Sequence, residues 1–441
     1  MNLTQPKIIA IDDDPTGSQT VHSCLLLMQW DVDTLVRGLQ DDSPVFFILS
    51  NTRAMNPQQA ERVTQEICHN LKRATAQAEI KDFLVVSRSD STLRGHYPLE
   101  TNIIANELGG FDAHFLTPAF FEGGRVTIEG IHYLSIDGVL TPVSETEFAN
   151  DSVFSYSYSH LPDYVAEKTQ GRITAESVVK LSLADIRGDK LQSRLMELKN
   201  NQCVAVDGEC QKDFDLFAKA ILQTTAQGKR FLFRSAASLL TSLARLGQQP
   251  IPADEMARYR PTDKPGAVIV GSHVQKTTQQ LGQLLEQKGV VGIEVDVAQL
   301  RDRPEDKNKM LESILANVAT AFTQNKTPVV YTSREELSFP DVQHRLQFGI
   351  QVSALLMEVV RGLPESISFL ISKGGITSND VLSDGLKLTQ ARLLGQILPG
   401  CSVIRTEPNH PQFPNLPVVL FPGNVGDYNG LVAAYRRLTI L

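Results

Sequence analysis

A chain of 441 residues with a net charge of −8, 42% apolar and 21% charged residues, is composed like an ordinary globular protein and is too long for a single hydrophobic core, so two domains are expected. The acidic balance and the lack of any Lys/Arg-rich block argue against nucleic acid as a partner. No apolar run approaches the roughly 18 residues of a spanning helix, and the start MNLTQPKIIAIDDD pairs no basic segment with an apolar one, so a cytoplasmic protein with no membrane partner is expected.

Short apolar runs rich in strand-forming residues alternate with helical patterns: IIAI, CLLLM, VFFIL, FLVVS, HFLTP, CVAV and FLFR fall between residues 8 and 234. That alternation predicts an α/β fold, each domain a mainly parallel sheet covered by helices. Residues 248–266 are rich in proline and polar side chains and are expected to link a first domain, 1–247, to a second, 267–441. There the rhythm restarts with AVIVG, VGIEVD, PVVYTS, ISFLIS and PVVLFPG. Between them, Val342 to Arg361 predicts a helix with Leu346, Ile350, Ala354 and Val359 on one buried face. Cys24, Cys68, Cys203, Cys210 and Cys401 form no C-x-x-C pair and are expected as buried free thiols. The nine histidines have no ligand spacing, so no metal site is expected.

Two polar segments follow strands in the first half. Ile8–Ile11 runs into Asp12-Asp13-Asp14-Pro15-Thr16-Gly17, at the strand end where open α/β sheets bind ligands. Adjacent carboxylates repel and call for cationic partners, although Asp and Thr also cap helices. The same stretch contains D-x-D-x-T (Asp12, Asp14, Thr16), which resembles the nucleophile loop of haloacid-dehalogenase-like phosphatases. There Asp12 would attack a phosphoryl group and Asp14 would serve as acid and base, but the second acidic pair of that mechanism has no convincing counterpart. Phe83–Ser87 likewise empties into Arg88-Ser89-Asp90-Ser91-Thr92-Leu93-Arg94-Gly95-His96, before a helix expected around Leu99 to Leu108. Arg94 offers a planar fork suited to a carboxylate. Asp90, Ser91 and Thr92 can bond ligand hydroxyls or cap that helix, and His96 is a candidate pocket group.

In the second half, three strands each end in a glycine turn: Gly271-Ser272-His273, Lys373-Gly374-Gly375-Ile376-Thr377-Ser378, and Phe421-Pro422-Gly423-Asn424-Val425-Gly426-Asp427. Such turns let backbone approach a phosphate closely, and Lys373 can neutralise its charge or simply be solvated. There is no G-x-x-x-x-G-K-[ST] loop and no protein-kinase signature.

The pairing of D-D-x-T-G (Asp13 to Gly17) with D-S-T-x-R-G (Asp90 to Gly95) resembles the N-terminal domain of the four-carbon acid sugar kinases. Ser50-Asn51-Thr52-Arg53, Thr117-Pro118-Ala119-Phe120, Gly124-Arg125 and Glu147-Phe148-Ala149-Asn150-Asp151 are similar to that family as well. Ser272, the Gly374 to Thr377 loop and Gly423 match its nucleotide-contacting positions, while relatives often carry Lys-Ser at Phe421-Pro422 and an acidic residue at Ile376. The resemblance implies a kinase that uses ATP and Mg2+ to phosphorylate a hydroxyl of a small four-carbon sugar acid in a cleft between two domains. It implies substrate contacts by Asp13, Thr16, Arg53, Ser91, Thr92 and Arg94, with the carboxylate on Arg94. Nucleotide contacts would come from Ser272, Lys373, Gly374, Gly375, Ile376, Thr377, Gly423 and Gly426. Either Asp14 or Asp90 would be the base. The phosphatase and a catalytically silent, nucleotide-gated sugar-acid-binding protein stay open as alternatives, and a homodimer is the default assembly.

Overall fold

The computed structural model describes residues 5–335 and 337–439, and the chain divides into two units, Met1–Gly247 and Gln248–Leu441. In the first unit the apolar runs become β1 (Lys7–Asp12), β2 (Leu25–Leu27), β3 (Val45–Leu49), β4 (Phe83–Arg88) and β5 (Ala113–Thr117). Three small strands follow, β6 (Arg125–Ile128), β7 (Ile131–Ile136) and β8 (Val139–Pro142), then β9 (Val179–Leu181), β10 (Gln202–Val206) and β11 (Phe231–Ser235).

The main sheet of this unit runs β2-β3-β1-β4-β11-β5-β10-β9, every pair parallel. Strands covered on both faces need apolar side chains at every position, and Ile8, Ile9, Leu84, Val85 and Val86 are wholly buried. Each such side chain contributes about 1.5–3 kcal/mol on burial. From β1 the chain moves to β3 on one side, whereas β4 and its successors extend on the other. The loops after β1 and β4 therefore leave neighbouring strand ends at a reversal of strand order, where a crevice opens.

The antiparallel sheet of β6, β7 and β8 is absent from the sequence expectations. Its two-residue turns, Glu129-Gly130 and Asp137-Gly138, have positive φ at both positions, the geometry that suits the twist of a hairpin.

The second unit contains β12 (Ala267–Val270), β13 (Val290–Val295), β14 (Thr327–Thr332), β15 (Leu370–Lys373), β16 (Gln390–Leu398), β17 (Cys401–Arg405) and β18 (Pro417–Phe421). Their order is β13-β14-β12-β15-β18-β17-β16, parallel as far as β18 and antiparallel beyond. Here the reversal falls between β12 and β15, the strands that precede two of the glycine turns.

Residues Ala253–Tyr259, inside the expected linker, form a 3₁₀ segment whose Met256 lies in the second unit's core with Val268 and Phe369. The helix Val342–Arg361 corrects the expected buried face. Leu346 is 61% and Ile350 70% exposed, and Ala354 is exposed too. Only the last turns pack inward, burying Leu355, Leu356, Val359 and Val360, because it is there that Met357 and Val360 meet the turn at Gly385. Four cysteines are buried and outside any disulfide, as expected, but Cys210 is exposed, since it stands at the N-cap of the helix Gln211–Thr225. Among the described residues no helix is long and apolar enough to cross a membrane.

Candidate active site

In the first unit the register sets Asp12, Leu49, Arg88 and Ser235 side by side, so the residues just beyond them share one polar rim. The turn after β3 brings Arg53 to this rim. Asn51 adopts left-handed backbone, Ser50 Oγ donates to the Asp12 carbonyl at 2.8 Å, and the Arg53 amide donates to the Asp13 carbonyl at 3.2 Å. The Arg53 guanidinium then pairs with Asp13 and lies 3.4 Å from Asp14 and 3.7 Å from Asp90. One cation thus offsets the repulsion that the acidic motif implied.

The carboxylates differ in what they can do. Burial acts to raise Asp13, but the charge and hydrogen bond of Arg53 hold it below the usual range, and its second oxygen accepts from Ser89 Oγ at 2.6 Å. Burial acts on Asp90 as well, yet Arg53 and Arg94 hold it far below the usual range. Asp90 accepts from Arg94 Nε at 2.9 Å, from the Thr92 amide at 3.2 Å and from the Thr92 hydroxyl. Asp14 receives the Thr16 amide at 2.8 Å and the Thr16 hydroxyl on one oxygen. Its side chain keeps 21% exposure, against 12% for Asp90 and 2% for Asp13.

Asp12 is 1% exposed. Burial pushes it up to about 7 against the pull of Arg88, with Asp13 and Asp14 adding to the rise. Its Oδ2 has no hydrogen-bond partner among the described residues, and it lies so close beneath Gly17 that a Cβ there would be 2.0 Å from it. A carboxylate sealed in this way presents no oxygen to a phosphoryl group, which corrects the phosphatase expectation for Asp12.

The remaining expected residues have definite places. Ser91 lies on the loop that the buried His132 of β7 fastens, His132 Nε2 being 2.8 Å from the Ser91 carbonyl; burial depresses His132 to about 4. Arg94 lies 3.7 Å from Asp151 and 4.9 Å over the Phe148 ring. His96 is not a pocket group: its Nε2 lies 3.0 Å from the carbonyls of both Thr52 and Met55, which fixes the turn that carries Arg53. Sequence reasoning missed Glu100 and Arg234. They join at 2.5 Å, with Thr52 Oγ1 donating to the other Glu100 oxygen at 2.5 Å. A lone arginine at the end of an otherwise apolar strand, Phe231–Ser235, was the available signal.

In the second unit Val270, Lys373 and Phe421 align across β12, β15 and β18, so all three glycine turns start at one level. Gly374 has φ +122°, and a Cβ there would meet Ser272 Cβ at 2.9 Å; only glycine lets the first two turns pack together. Thr277 Oγ1 donates to the Gly423 carbonyl at 3.0 Å and lies 3.2 Å from Ser272 Oγ, tying in the third turn. Gly426 also has positive φ, +78°, in a loop whose Val425 and Asp427 carbonyls accept from Gln280 Nε2 at 3.0 and 2.6 Å. Thr377 is buried and Ile376 74% exposed.

Lys373 departs from the expected phosphate contact. It is wholly buried, its Nζ donates to the carbonyls of Pro422 at 2.6 Å and Gly423 at 3.1 Å, and it lies 4.0 Å over the Phe421 ring. Burial lowers it to about 7. Arg334, which was not expected, supports the Ser272 carbonyl at 2.7 Å from the bend just after β14.

Residues 8–243 match the family description "Sugar-binding N-terminal domain" and residues 267–431 "Nucleotide-binding C-terminal domain". A D-erythronate kinase from Heliobacterium modesticaldum (strain ATCC 51547 / Ice1) is 27% identical over 292 residues, 62% of this chain and 59% of that protein. The match therefore spans under two thirds of that relative. The crystal structure of a Salmonella typhimurium LT2 protein, named provisionally as a tRNA synthase, superimposes with a TM-score of 0.72 at 19% identity. It covers 98% of this chain and 99% of that one, and shows a shared fold. A domain of unknown function from Bordetella bronchiseptica, 22% identical with 99% of each chain covered, reaches only 0.41.

Proposed function

The chain belongs to the four-carbon acid sugar kinase family, and from that premise we propose that it transfers the γ-phosphoryl group of Mg–ATP to a hydroxyl of a small, four-carbon sugar acid. The observation that carries this reading is the Arg53-centred rim of Asp13, Asp14 and Asp90. It combines hydroxyl-binding carboxylates with cationic groups for an acid, on a unit that matches a sugar-binding description.

Phosphoryl transfer asks the protein chiefly to align the hydroxyl with the phosphoryl group and to neutralise charge. Asp13 and Asp90, held ionised by arginines, accept hydrogen bonds from substrate hydroxyls. Asp90 is consequently a weak base, and Asp14, the most exposed carboxylate of the rim, takes the hydroxyl proton. Ser272, Gly374–Thr377 and Gly423 cradle the phosphates, and Lys373 shapes that cradle from below through the Pro422 and Gly423 carbonyls. Magnesium would be carried by the ATP phosphates.

The test is ADP release from Mg–ATP across D-erythronate, D-threonate and their 3-oxo counterparts, with free phosphate followed in parallel. ADP that forms only with one acid, and without free phosphate, supports the kinase. Saturable binding of ATP and acid with no ADP would mark a silent binding protein, and phosphate freed from sugar phosphates without ATP would restore the phosphatase.

A further inference from the structure

We infer that Arg234, not Arg94, is the residue that receives the carboxylate of the acid, and so sets the requirement for an acid over a neutral sugar; this rests on the sugar-acid reading above. The geometry comes from β11 and its neighbours. Arg234 is 8% exposed, and its Nη1 donates to Ser87 Oγ at 2.9 Å and to Glu100 Oε2 at 2.5 Å. Glu100 is itself fixed by Thr52, so the guanidinium plane is locked before any ligand arrives. Nε and Nη2, the edge that meets a carboxylate with two parallel N–H groups, make no hydrogen bond among the described residues.

Arg234 lines a cavity of about 20 Å³ with Ser89, Asp90, Arg94, Tyr164 and Ser235, room for one water molecule or one carboxylate oxygen. Gly95 packs closely on this arginine: at φ +123°, a Cβ there would lie 2.5 Å from Nη2.

The other arginines of the rim are engaged. Arg53 stands among Asp13, Asp14 and Asp90, Arg94 between Asp90 and Asp151, Arg88 against Asp12, and Arg125 on the Gly123 carbonyl. A carboxylate on Arg94 would share that cation with Asp90, already bound to Nε at 2.9 Å, and with Asp151 at 3.7 Å. On Arg234 it meets a preset fork, and ordering losses on binding are small.

The experiment is calorimetric titration of D-erythronate and D-threonate against their primary carboxamides, which keep the hydroxyls and lose the charge. The parent chain is expected to favour an acid over its amide by about 10- to 150-fold, the range for charge-assisted hydrogen bonds. Arg234→Gln should reduce that preference to under about 3-fold, whereas Arg94→Gln should weaken acid and amide alike and keep it. Arg234→Lys preserves a cation beside Glu100 while removing the flat fork, and decides the matter if the glutamine variant does not fold; it too should lose most of the preference. An undiminished preference in an Arg234 variant, or its loss in Arg94→Gln, overturns the assignment alone. A parent chain that binds neither acid overturns the sugar-acid reading and this assignment with it.

Discussion

Replacing Asp12 by Asn isolates the energetic consequence of the sealed carboxylate. The folded chain holds the Asp12 proton with a pKa raised from 3.8 to about 7, so between those values it binds more proton than the unfolded chain does. Stability from this group is therefore full below about pH 4, falls as pH rises and is gone above pH 7. At 1.36 kcal/mol per unit, the whole window is worth about 4 kcal/mol, of which about 2–3 kcal/mol falls between pH 5 and pH 7. Asn carries no titrating proton. Whatever fixed cost its amide meets beneath Gly17, that cost does not vary with pH, and the slope alone reports the carboxylate. Urea unfolding of both chains at pH 5, 6, 7 and 8 measures it: the stability of Asp12→Asn relative to the parent should climb with pH and level off above 7. A difference that stays flat, or that climbs toward acid, would refute the argument that Asp12 is buried against its own charge.

Gly17→Ala drives a methyl group into the Asp12 carboxylate and should cost at least about 3 kcal/mol, read as a lowered urea midpoint or lost soluble yield. Asp14→Asn should reduce kcat about 100-fold or more with a small change in acid binding, whereas Asp90→Asn should chiefly raise KM for the acid. Lys373→Met removes two hydrogen bonds to the Pro422–Gly423 turn and should weaken ATP by about 10-fold or more in a binding titration, leaving acid affinity within about 2-fold. Gly374→Ala, strained at its positive φ and pressed on Ser272, should act in the same direction more strongly.

The parallel strands were legible in the sequence because both faces are covered: IIAI, VFFIL and FLVVS read as unbroken apolar runs. Motifs such as Asp13–Gly17 and Asp90–Gly95 were legible because each sits where such a run stops. The β6–β8 sheet was not, since its strands are partly exposed, although the Asp137-Gly138 turn signalled a hairpin. The helix Val342–Arg361 misled for a related reason: periodicity marks an apolar face but not what covers it, and Leu346 and Ile350 meet no core. Roles within the site depended on contacts between distant segments. Lys373 in a glycine loop suggests a phosphate ligand until its Nζ is found on two carbonyls. His96 likewise looks like a pocket group until Thr52 and Met55 claim it. Nothing local in Phe231–Ser235 announces that Arg234 faces Glu100, 134 positions away.

The alignment of strand ends bears on how such a protein can be changed. Asp12, Leu49, Arg88 and Ser235 terminate level with one another, so chemistry is written on segments that start beyond the hydrogen-bonded ladder. A mutational library over residues 13–16, 50–53 and 89–94 could vary the ligand-facing groups while leaving every interstrand pairing untouched. Asp12 and Gly17 would be the fixed brackets of its first segment, and their close approach marks where such diversity must stop.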